Sequence, residues 1–235
     1  MAKQAAKSAD NTTRWIVVAM VSLVIVTGIV FSLFSQNNKE TASLAGLDGI
    51  QLQPAVTSTI DTANGSAITF DNGAATTIDV WEDSQCPVCK LFADANGSYL
   101  DSLIREKKAN VRYHILSFLG DESVRAANAS FCAADEGQFL DFHKAIYTVQ
   151  SSVENSGFWS NETLVSIGKK IGINSATFED CVIKGSKVDL VQANSDSMSK
   201  FGVQGTPTVF INGKEGERTQ NAFIAQEFKA AVEAG

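Results

Sequence analysis

The sequence predicts an α/β domain with a helical insert, preceded by one transmembrane helix. Three features support this fold class. An uncharged apolar run lies near the N-terminus, strand and helix patterns alternate over residues 67–119, and a helical stretch at about 121–200 precedes a strand hairpin and a last helix. The composition, 44% hydrophobic and 19% charged, is that of a folded chain rather than a disordered one.

Residues 15–34 form the apolar run, WIVVAMVSLVIVTGIVFSLF, which contains no charged side chain. At about 1.5 Å per residue, a helix of this length spans the roughly 30 Å hydrocarbon core of a bilayer. A cleaved signal peptide is the alternative, but its apolar region is usually about 7–15 residues long and ends close to a small-x-small cleavage site. The nearest such triplet, Ser43 to Ala45, lies well downstream, so we predict a retained anchor.

The charges predict how the chain is oriented in the membrane. Lys3, Lys7 and Arg14 precede the apolar run, whereas only Lys39 follows it closely, so the positive-inside rule predicts that residues 1–14 are cytoplasmic. The rest of this single-pass cell-membrane protein would then be extracytoplasmic, where disulfides persist. The net charge of −7 disfavours contact with phosphate backbones, so we expect no nucleic-acid partner.

Residues 35–65 are rich in Ser, Thr, Asn, Gly and Ala and lack strong periodicity. They predict a flexible linker with a typical reach of about 30 Å. We expect the folded domain to cover residues 66–235. Because the linker offers no obvious dimerisation segment, the expected state is a monomer.

The first half of the domain shows the patterns of strand, strand, helix and strand. AITF and TTIDVW are the first two strands, and VRYHILSFL has the β-branched and aromatic content of a central strand. Apolar residues at helical spacing follow TTIDVW, although Asn96-Gly97 predicts a kink or break. The order strand, helix, strand implies a parallel pair with a crossover connection.

The second half begins with the helical insert at about 121–200. TPTVFINGKEGE then predicts a hairpin with Asn212-Gly213 as its type I′ turn. Residues 221–233 predict an amphipathic closing helix. The predicted order of the whole domain is therefore β, β, α, β, helical insert, β, β, α.

The segment DSQCPVCKLF places Cys86 and Cys89 where a strand ends and a helix begins. A reactive dithiol needs one sulfur stabilised as a thiolate and a second close enough to resolve a mixed disulfide. Cys86 at the helix N-terminus would face unpaired N–H groups and the helix dipole, and Cys89 one turn later would lie within bridging distance. Pro87 suits the first helical turn, because its missing N–H needs no partner there.

A zinc site and an inert structural disulfide are the alternatives for this cysteine pair. Structural zinc commonly uses a second Cys-x-x-Cys or a close His pair, but Cys132 and Cys181 stand alone. His114 and His143 are also isolated, and their apolar surroundings in the sequence favour packed positions. We therefore expect redox chemistry at Cys86 and Cys89, with no metal and no cofactor.

Two motifs in this order, CPVC after a strand and GTPTVFING after a helical insert, resemble those of the thioredoxin-fold superfamily, specifically the DsbA-like thiol-disulfide oxidoreductases. FCAADEGQFLDFHKAIY is similar to the insert of the membrane-anchored Gram-positive and actinobacterial members. The resemblance covers about residues 65–235. It implies an oxidase that introduces disulfides into reduced, unfolded exported proteins, reoxidised by a quinone-linked membrane partner of the DsbB or vitamin-K-epoxide-reductase type.

The resemblance also implies roles for single residues. Pro207 matches the family's cis-proline, and Thr206 with Pro207 would lie against Cys86 and offer backbone hydrogen bonds to an extended substrate. Several members have His in the CxxC dipeptide, whereas this chain has Val88. Without that positive charge, the pKa of Cys86 should fall less and the disulfide should be less oxidising.

Many members place a buried acid six residues before the first cysteine, where this chain has Val80. Glu82 has the same strand parity and could act as the proton relay instead, whereas Asp79 should point to the opposite face of the sheet. An ordinary polar loop at Glu82 and Asp83 is the alternative.

Cys132 and Cys181 complete an even cysteine count, which in an exported domain favours a structural disulfide. Both residues lie in the helical insert. A bridge closing about 50 residues would stabilise the fold by about 4 kcal/mol in the chain-entropy model. Two buried free thiols are the alternative.

Two other functions stay open at this point. A reductase or isomerase would use the same dithiol in the reverse direction, and neither Val88 nor Thr206 enforces an extreme potential. A chaperone would capture extended segments at Pro207 without turnover, although the intact cysteine pair disfavours it.

Overall fold

The structure is a computed structural model that describes residues 44–216 and 225–234. These residues belong to a single unit of the chain. The predicted cytoplasmic segment, 1–14, and the predicted anchor, 15–34, lie outside the described residues. Within the described ranges, no helix is both long enough and apolar enough to cross a membrane.

Within the described part of the chain, six strands form one mixed sheet. They are β1 (Thr59–Asp61), β2 (Ala67–Phe70), β3 (Thr77–Asp83), β4 (Asn110–Leu116), β5 (Thr208–Ile211) and β6 (Lys214–Glu215). Their order across the sheet is β1-β2-β4-β3-β5-β6. The pairing of β3 with β4 is parallel, which confirms the predicted crossover, and the other described pairs are antiparallel.

Seven α-helices accompany this sheet in the described residues. They are α1 (Pro87–Arg105), α2 (Asp121–Asp135), α3 (Phe139–Thr148), α4 (Asn161–Lys170), α5 (Ala176–Lys184), α6 (Val188–Ser197) and α7 (Ala225–Ala234). The crossover between β3 and β4 is α1, and α2 to α6 lie between β4 and β5 in the chain. The α/β class predicted from the sequence is confirmed.

Strand alternation divides the side chains of β3 between the two faces of the sheet. Val80 belongs to the main core with Phe92 of α1. Phe92 in turn meets Phe228 of α7 edge to face, with ring centroids 5.5 Å apart. On the opposite face, Trp81 stacks on His114 of β4, with ring centroids 3.6 Å apart. The dithiol at the end of β3 is therefore held by a strand that is packed on both sides.

The helices of the insert build a second core of their own. Its large buried side chains come from α3, the loop after it, α4 and α5, and include Phe142, Trp159, Leu164, Ile167, Phe178 and Val182. A disulfide between Cys132 of α2 and Cys181 of α5 crosses this core. Cys86 and Cys89 belong to the same cluster, so the dithiol lies where the insert meets the sheet.

The predicted flexible linker is wrong for its second part, residues 44–65. A 3-10 helix covers Leu44–Leu47, and Leu47 is buried. The N–H of Val56 donates to Gly137 O at 3.0 Å, and β1 pairs with β2 at the sheet edge. The polar composition concealed this order, because an edge strand is held by backbone hydrogen bonds and needs few apolar side chains.

The predicted kink at Asn96-Gly97 is also wrong, since α1 runs unbroken from Pro87 to Arg105. Asn96 is buried, and its side-chain amide donates to Phe92 O at 3.3 Å. Leu100, one turn beyond Asn96, is buried in the main core. Packing of the flanking turns therefore outweighs the low helix propensity of this pair.

Candidate active site

Cys86 occupies the N-cap position of α1, between the end of β3 and the first helical turn. Its backbone N–H donates to Asp83 O at 2.9 Å, and this bond turns the chain from strand to helix. Pro87 is the first residue of α1, where its missing N–H leaves no helical partner unsatisfied. The predicted position of the dithiol at a strand-to-helix junction is thus the observed one.

The two sulfurs differ sharply in acidity. A hydrogen bond from the Cys89 thiol is the main cause that lowers the pKa of Cys86 to about 6; burial opposes it, and Thr206 and the N–H groups of Cys89 and Val88 assist it. Burial, and then the interaction with Cys86, raise the pKa of Cys89 well above its usual value. At neutral pH Cys86 is therefore a thiolate, and Cys89 is a thiol.

The second sequence motif lies directly against Cys86. The Thr206–Pro207 peptide bond is cis, and Thr206 O lies 3.7 Å from Cys86 Sγ. The fold therefore brings together two motifs that are 120 residues apart in the chain. Val88 is 43% exposed, so the surface beside the thiolate carries an apolar side chain rather than a positive charge.

Glu82 is a buried carboxylate behind the dithiol. It lies near the end of β3 with 1% of its surface exposed, so the alternative of an ordinary polar loop is wrong. Its Oε1 lies 2.6 Å from Nε2 of His143, which belongs to α3 of the insert. The charge of Glu82 is one of the causes that raise the pKa of Cys89, which places the carboxylate within electrostatic reach of the buried thiol.

Asp83, the last residue of β3, is a second buried carboxylate. Burial raises its pKa to about 6, against hydrogen bonds from Ser123, Gln85 and Leu119 that lower it. The Ser123 hydroxyl donates to Oδ1 at 2.6 Å, and the Gln85 N–H donates to the same oxygen at 2.9 Å. The pattern of β3 could have indicated burial, but the partner Ser123 in α2 was not apparent from the sequence.

Side chains in the last turn of α3 and just after it hold the backbone around the dithiol. The amide of Gln150 donates to Ser84 O at 2.8 Å and to Cys86 O at 3.1 Å. The Tyr147 hydroxyl donates to Asp83 O at 3.3 Å. These contacts were not apparent from the sequence, because nothing in the chain indicates that α3 crosses behind the CxxC loop.

The remaining candidates lie away from the sulfurs. His114 contacts Asp79, with Nε2 3.3 Å from Oδ1, on the face of the sheet opposite Val80 and Glu82. Asp79 thus points to the face that strand parity predicted. Across the described ranges, no cluster of three or more His, Cys, Asp or Glu side chains could hold a metal ion.

Comparison with known proteins gives relatives over most of the domain. A sequence profile described as thioredoxin matches residues 65–234. The serine/threonine-protein kinase PknE of Mycobacterium tuberculosis is 27% identical in an alignment of 152 residues that covers 58% of this chain and 27% of the kinase. The chain therefore corresponds to only a minor part of that relative.

Two other matches cover larger shares of both proteins. Disulfide bond formation protein D of Bacillus subtilis is 26% identical over 177 residues, which covers 72% of this chain and 74% of that protein. The crystal structure of reduced DsbA from Mycobacterium tuberculosis superposes with a TM-score of 0.58 and 25% identity, over 68% of this chain and 81% of that one. The predicted thioredoxin fold is thereby confirmed, and because the family profile covers β2 to β6, the CxxC helix and the insert, the chain belongs to the thioredoxin family.

Proposed function

We propose that the protein is a membrane-anchored thiol-disulfide oxidase that introduces disulfides into reduced, unfolded exported proteins through Cys86 and Cys89. One observation carries the proposal. The pKa of Cys86 is lowered to about 6, while the pKa of the buried Cys89 is raised. Such a pair stabilises the reduced enzyme as a thiolate and thereby makes its disulfide a better oxidant.

The reaction transfers two electrons from substrate to enzyme. A substrate thiolate attacks Cys86 Sγ and breaks the Cys86–Cys89 bond, and Cys89 leaves as a thiolate that takes up a proton. A second substrate thiolate then attacks the substrate sulfur of the mixed disulfide and releases Cys86 as a thiolate. Thr206 and Pro207 lie beside Cys86 and would hold the extended substrate by backbone hydrogen bonds.

Glu82 is proposed as the group that exchanges a proton with Cys89. Because Cys89 is fully buried, its thiol cannot exchange with bulk water directly. Glu82 is buried with it, and among the described residues its Oε2 has no hydrogen-bond partner. That oxygen is therefore available to take or give the proton of the resolving thiol.

The cellular setting is proposed from the N-terminal sequence. The uncharged run at residues 15–34 would anchor the enzyme in the cell membrane with its domain outside the cytoplasm. There the reduced enzyme would be reoxidised by a quinone-linked membrane protein of the DsbB or vitamin-K-epoxide-reductase type. A relative named disulfide bond formation protein supports this use of the dithiol.

The test measures the redox potential of the dithiol and its ability to form disulfides in a substrate protein. The full chain in detergent is equilibrated with glutathione buffers, and the oxidised form is mixed with a reduced, unfolded protein whose recovered activity reports disulfide formation. A potential of about −120 to −180 mV together with recovery is the expected result. A potential near −270 mV without recovery would contradict an oxidase, and Cys86→Ser must abolish any recovery.

A reductase is the second candidate, and Val88 is the observation that favours it. Its exposed apolar side chain supplies no positive charge to Cys86, which moves the potential toward the reducing end. A reductase would cleave the disulfide of an oxidised test protein when supplied with reduced glutathione. The measured potential separates the two directions.

A further inference from the structure

We propose that His143 passes the proton of Cys89 between Glu82 and a solvent cavity between α1 and α3, so that the helical insert supplies the exit of the proton path. This inference rests on the proposed function, because it concerns the proton that Cys89 exchanges during each half-reaction. It assigns His143 as a proton-transferring residue that acts through Glu82.

The pair formed by Glu82 and His143 is nearly closed to bulk solvent. Their side chains are 1% and 10% exposed, and 2.6 Å separates Oε1 from Nε2. The two residues come from different parts of the fold, β3 and the insert helix α3. A contact this short between buried groups requires a proton between Oε1 and Nε2. Without it, two acceptor atoms would face each other in a site that water does not reach, which is strongly unfavourable.

The cavity supplies the outer end of the path. It has a volume of about 170 Å³ and lies between α1 and α3, with His143 in its wall and Glu82 absent from it. His143 is therefore the step at which the buried carboxylate gains access to solvent. Lys144 and Gly97 also line the cavity, so its wall is formed by both helices.

Two tyrosines pack against His143, but they cannot carry the proton in its place. The rings of Tyr113 and Tyr147 each lie with their centroids 5.0 Å from that of His143. Burial raises the pKa of both phenols well above the usual value, so both keep their protons. Imidazole can accept and release a proton near neutral pH, which these phenols cannot do.

The charged and titratable groups around the pair come from four elements. They are Cys86 and Cys89 at the start of α1, Asp83 on β3, Tyr113 on β4, Tyr147 on α3, and, in the cavity wall, Asp94, Asp101, Asp141 and Lys144. Two of these carboxylates are ion-paired within α1, Asp94 with Lys90 and Asp101 with Arg105.

The proton balance is simple. In the starting state one proton lies between Glu82 Oε1 and His143 Nε2, and the other ring nitrogen carries a second. When Cys89 attacks Cys86 in the mixed disulfide, the Cys86–Cys89 bond forms, the partner sulfur leaves as a thiolate, and the thiol proton of Cys89 moves to Glu82 Oε2. The proton between Oε1 and Nε2 then stays on Nε2, and the other ring nitrogen releases its proton to the cavity. When Cys89 leaves as a thiolate in the oxidising half-reaction, the same transfers run in reverse.

The test separates the two cysteine steps. The reduced full chain in detergent is mixed with dithiobis(nitrobenzoate): Cys86 attacks and releases one nitrobenzoate thiolate, and Cys89 then attacks Cys86 and releases the second. In His143→Gln the amide can still bond Glu82 but cannot pass a proton. We expect the second release to slow at least about tenfold, with the first release within about twofold of the wild type.

A double substitution tests the order of the path. Glu82→Gln should slow the second release, and Glu82→Gln with His143→Gln should be no slower than Glu82→Gln alone. His114→Gln is the matched control, because His114 is also buried in the fold but lies on the opposite face of the sheet. It should leave both releases at the wild-type rate.

Each result has a defined meaning. A wild-type second release in His143→Gln would overturn the inference, and a slow release in Glu82→Gln alone would still support the role of Glu82. Effects that multiply in the double variant, or an equal slowing of both releases, would also overturn it.

Chemical rescue is a second test. The second release of His143→Ala should recover when imidazole is added, whereas no recovery would contradict proton transfer by His143. Failure of the proposed function would differ, because the wild type itself would then oxidise no substrate.

Discussion

At the scale of single residues, the acidity of Cys86 arises mostly from groups within one helical turn. The Cys89 thiol stabilises the thiolate most, followed by Thr206, which is 120 residues away in the sequence, and by the N–H groups of Cys89 and Val88. No side-chain charge from the CxxC dipeptide takes part, since the dipeptide is Pro87-Val88. The pKa of about 6 is therefore the value reached by hydrogen bonds and the helix N-terminus without a neighbouring cation.

Val88→His tests this interpretation of Cys86. A charged imidazole beside the sulfur should lower the pKa of Cys86 below about 6 and make the disulfide more oxidising, by about 30 mV for each tenfold gain in the equilibrium constant. Thiolate absorbance against pH gives the pKa, and equilibrium with glutathione gives the potential. Val88→Leu is the matched control and should change neither; an unchanged pKa in Val88→His would refute the electrostatic account.

At the scale of elements, two helical glycines have opposite surroundings. Gly97 in α1 has open space where a Cβ would be placed. At Gly168 in α4, a Cβ would lie within 2.7 Å of the Phe178 ring atom Cζ. Phe178 is buried in the core of the insert, so its ring has little room to move. Gly168 thus permits the close approach of α4 and α5.

Alanine at these two positions should change stability in opposite directions. Gly97→Ala should stabilise the protein by about 0.5–1 kcal/mol, because it reduces the entropy of the unfolded chain without a steric conflict. Gly168→Ala should destabilise it by about 1–3 kcal/mol through overpacking. Urea unfolding of both variants measures the free energies. A stabilised Gly168→Ala protein would show that Phe178 can move and that the helix contact is loose.

The disulfide between Cys132 and Cys181 joins two helices of the insert, α2 and α5, across 49 residues of sequence. It lies in the same buried cluster as Cys86 and Cys89, but Cys132 and Cys181 are bonded to each other, whereas the two active-site cysteines are free. Its role is therefore structural. Exchange at the active site should not depend on it directly, because the bridge leaves Cys86 and Cys89 free to react with each other.

Removal of this bridge should cost stability and leave the chemistry intact. Cys132→Ala with Cys181→Ala should lower the free energy of unfolding by about 4 kcal/mol, since the open chain gains entropy when unfolded. Urea unfolding gives the loss, and the two nitrobenzoate releases of the folded variant should match the wild type. A change in the first release with stability unaltered would contradict a purely structural bridge.

At the scale of the whole molecule, the dithiol lies between two cores. One is formed by the sheet, α1 and α7 with side chains from α2, α3 and α6, and the other is formed mainly by the insert. Residues of the insert, His143, Tyr147 and Gln150, contact the backbone or the buried acid behind the sulfurs. The insert is therefore a structural part of the active site and not only a cover over it.

The reduced protein should become more stable as pH rises above 6. The pKa of Cys86 is about 6 in the folded state and about 8.5 when unfolded, so between these values the unfolded chain binds more protons and stability rises with pH. The gain is at most about 1.4 kcal/mol per pH unit. This stabilisation is fully present above the pKa of Cys86 in the unfolded chain, and it is lost as pH falls through about 6.

The comparison uses reduced wild type and reduced Cys86→Ser. The difference between their free energies of urea unfolding should grow from pH 6 to pH 8.5. The pKa of Asp83 is raised to about 6, so this residue lowers the free energy of unfolding as pH rises toward that value. Because Asp83 is present in both proteins, its contribution largely cancels in the difference between them. A difference that stays constant with pH would mean that Cys86 is not a stabilised thiolate.

Local signals in the sequence were sufficient for the strands, for the helix after CPVC and for the hairpin at Asn212-Gly213, where both residues have positive φ. They failed where packing competes with composition. The segment at 44–65 looked like a tether, yet Leu47 and β1 pack on the domain. Asn96-Gly97 looked like a break, yet α1 continues through it.

The sequence by itself determined the dithiol, its place at a helix start and the second motif with Pro207, because these depend on short-range spacing and helix termini. Only the tertiary structure decided which groups surround the sulfurs. The contact of Glu82 with His143 spans 61 residues, and that of Cys86 with Thr206 spans 120. Such pairs form when separately patterned elements bury their apolar faces together, so their partners follow from packing and not from local sequence.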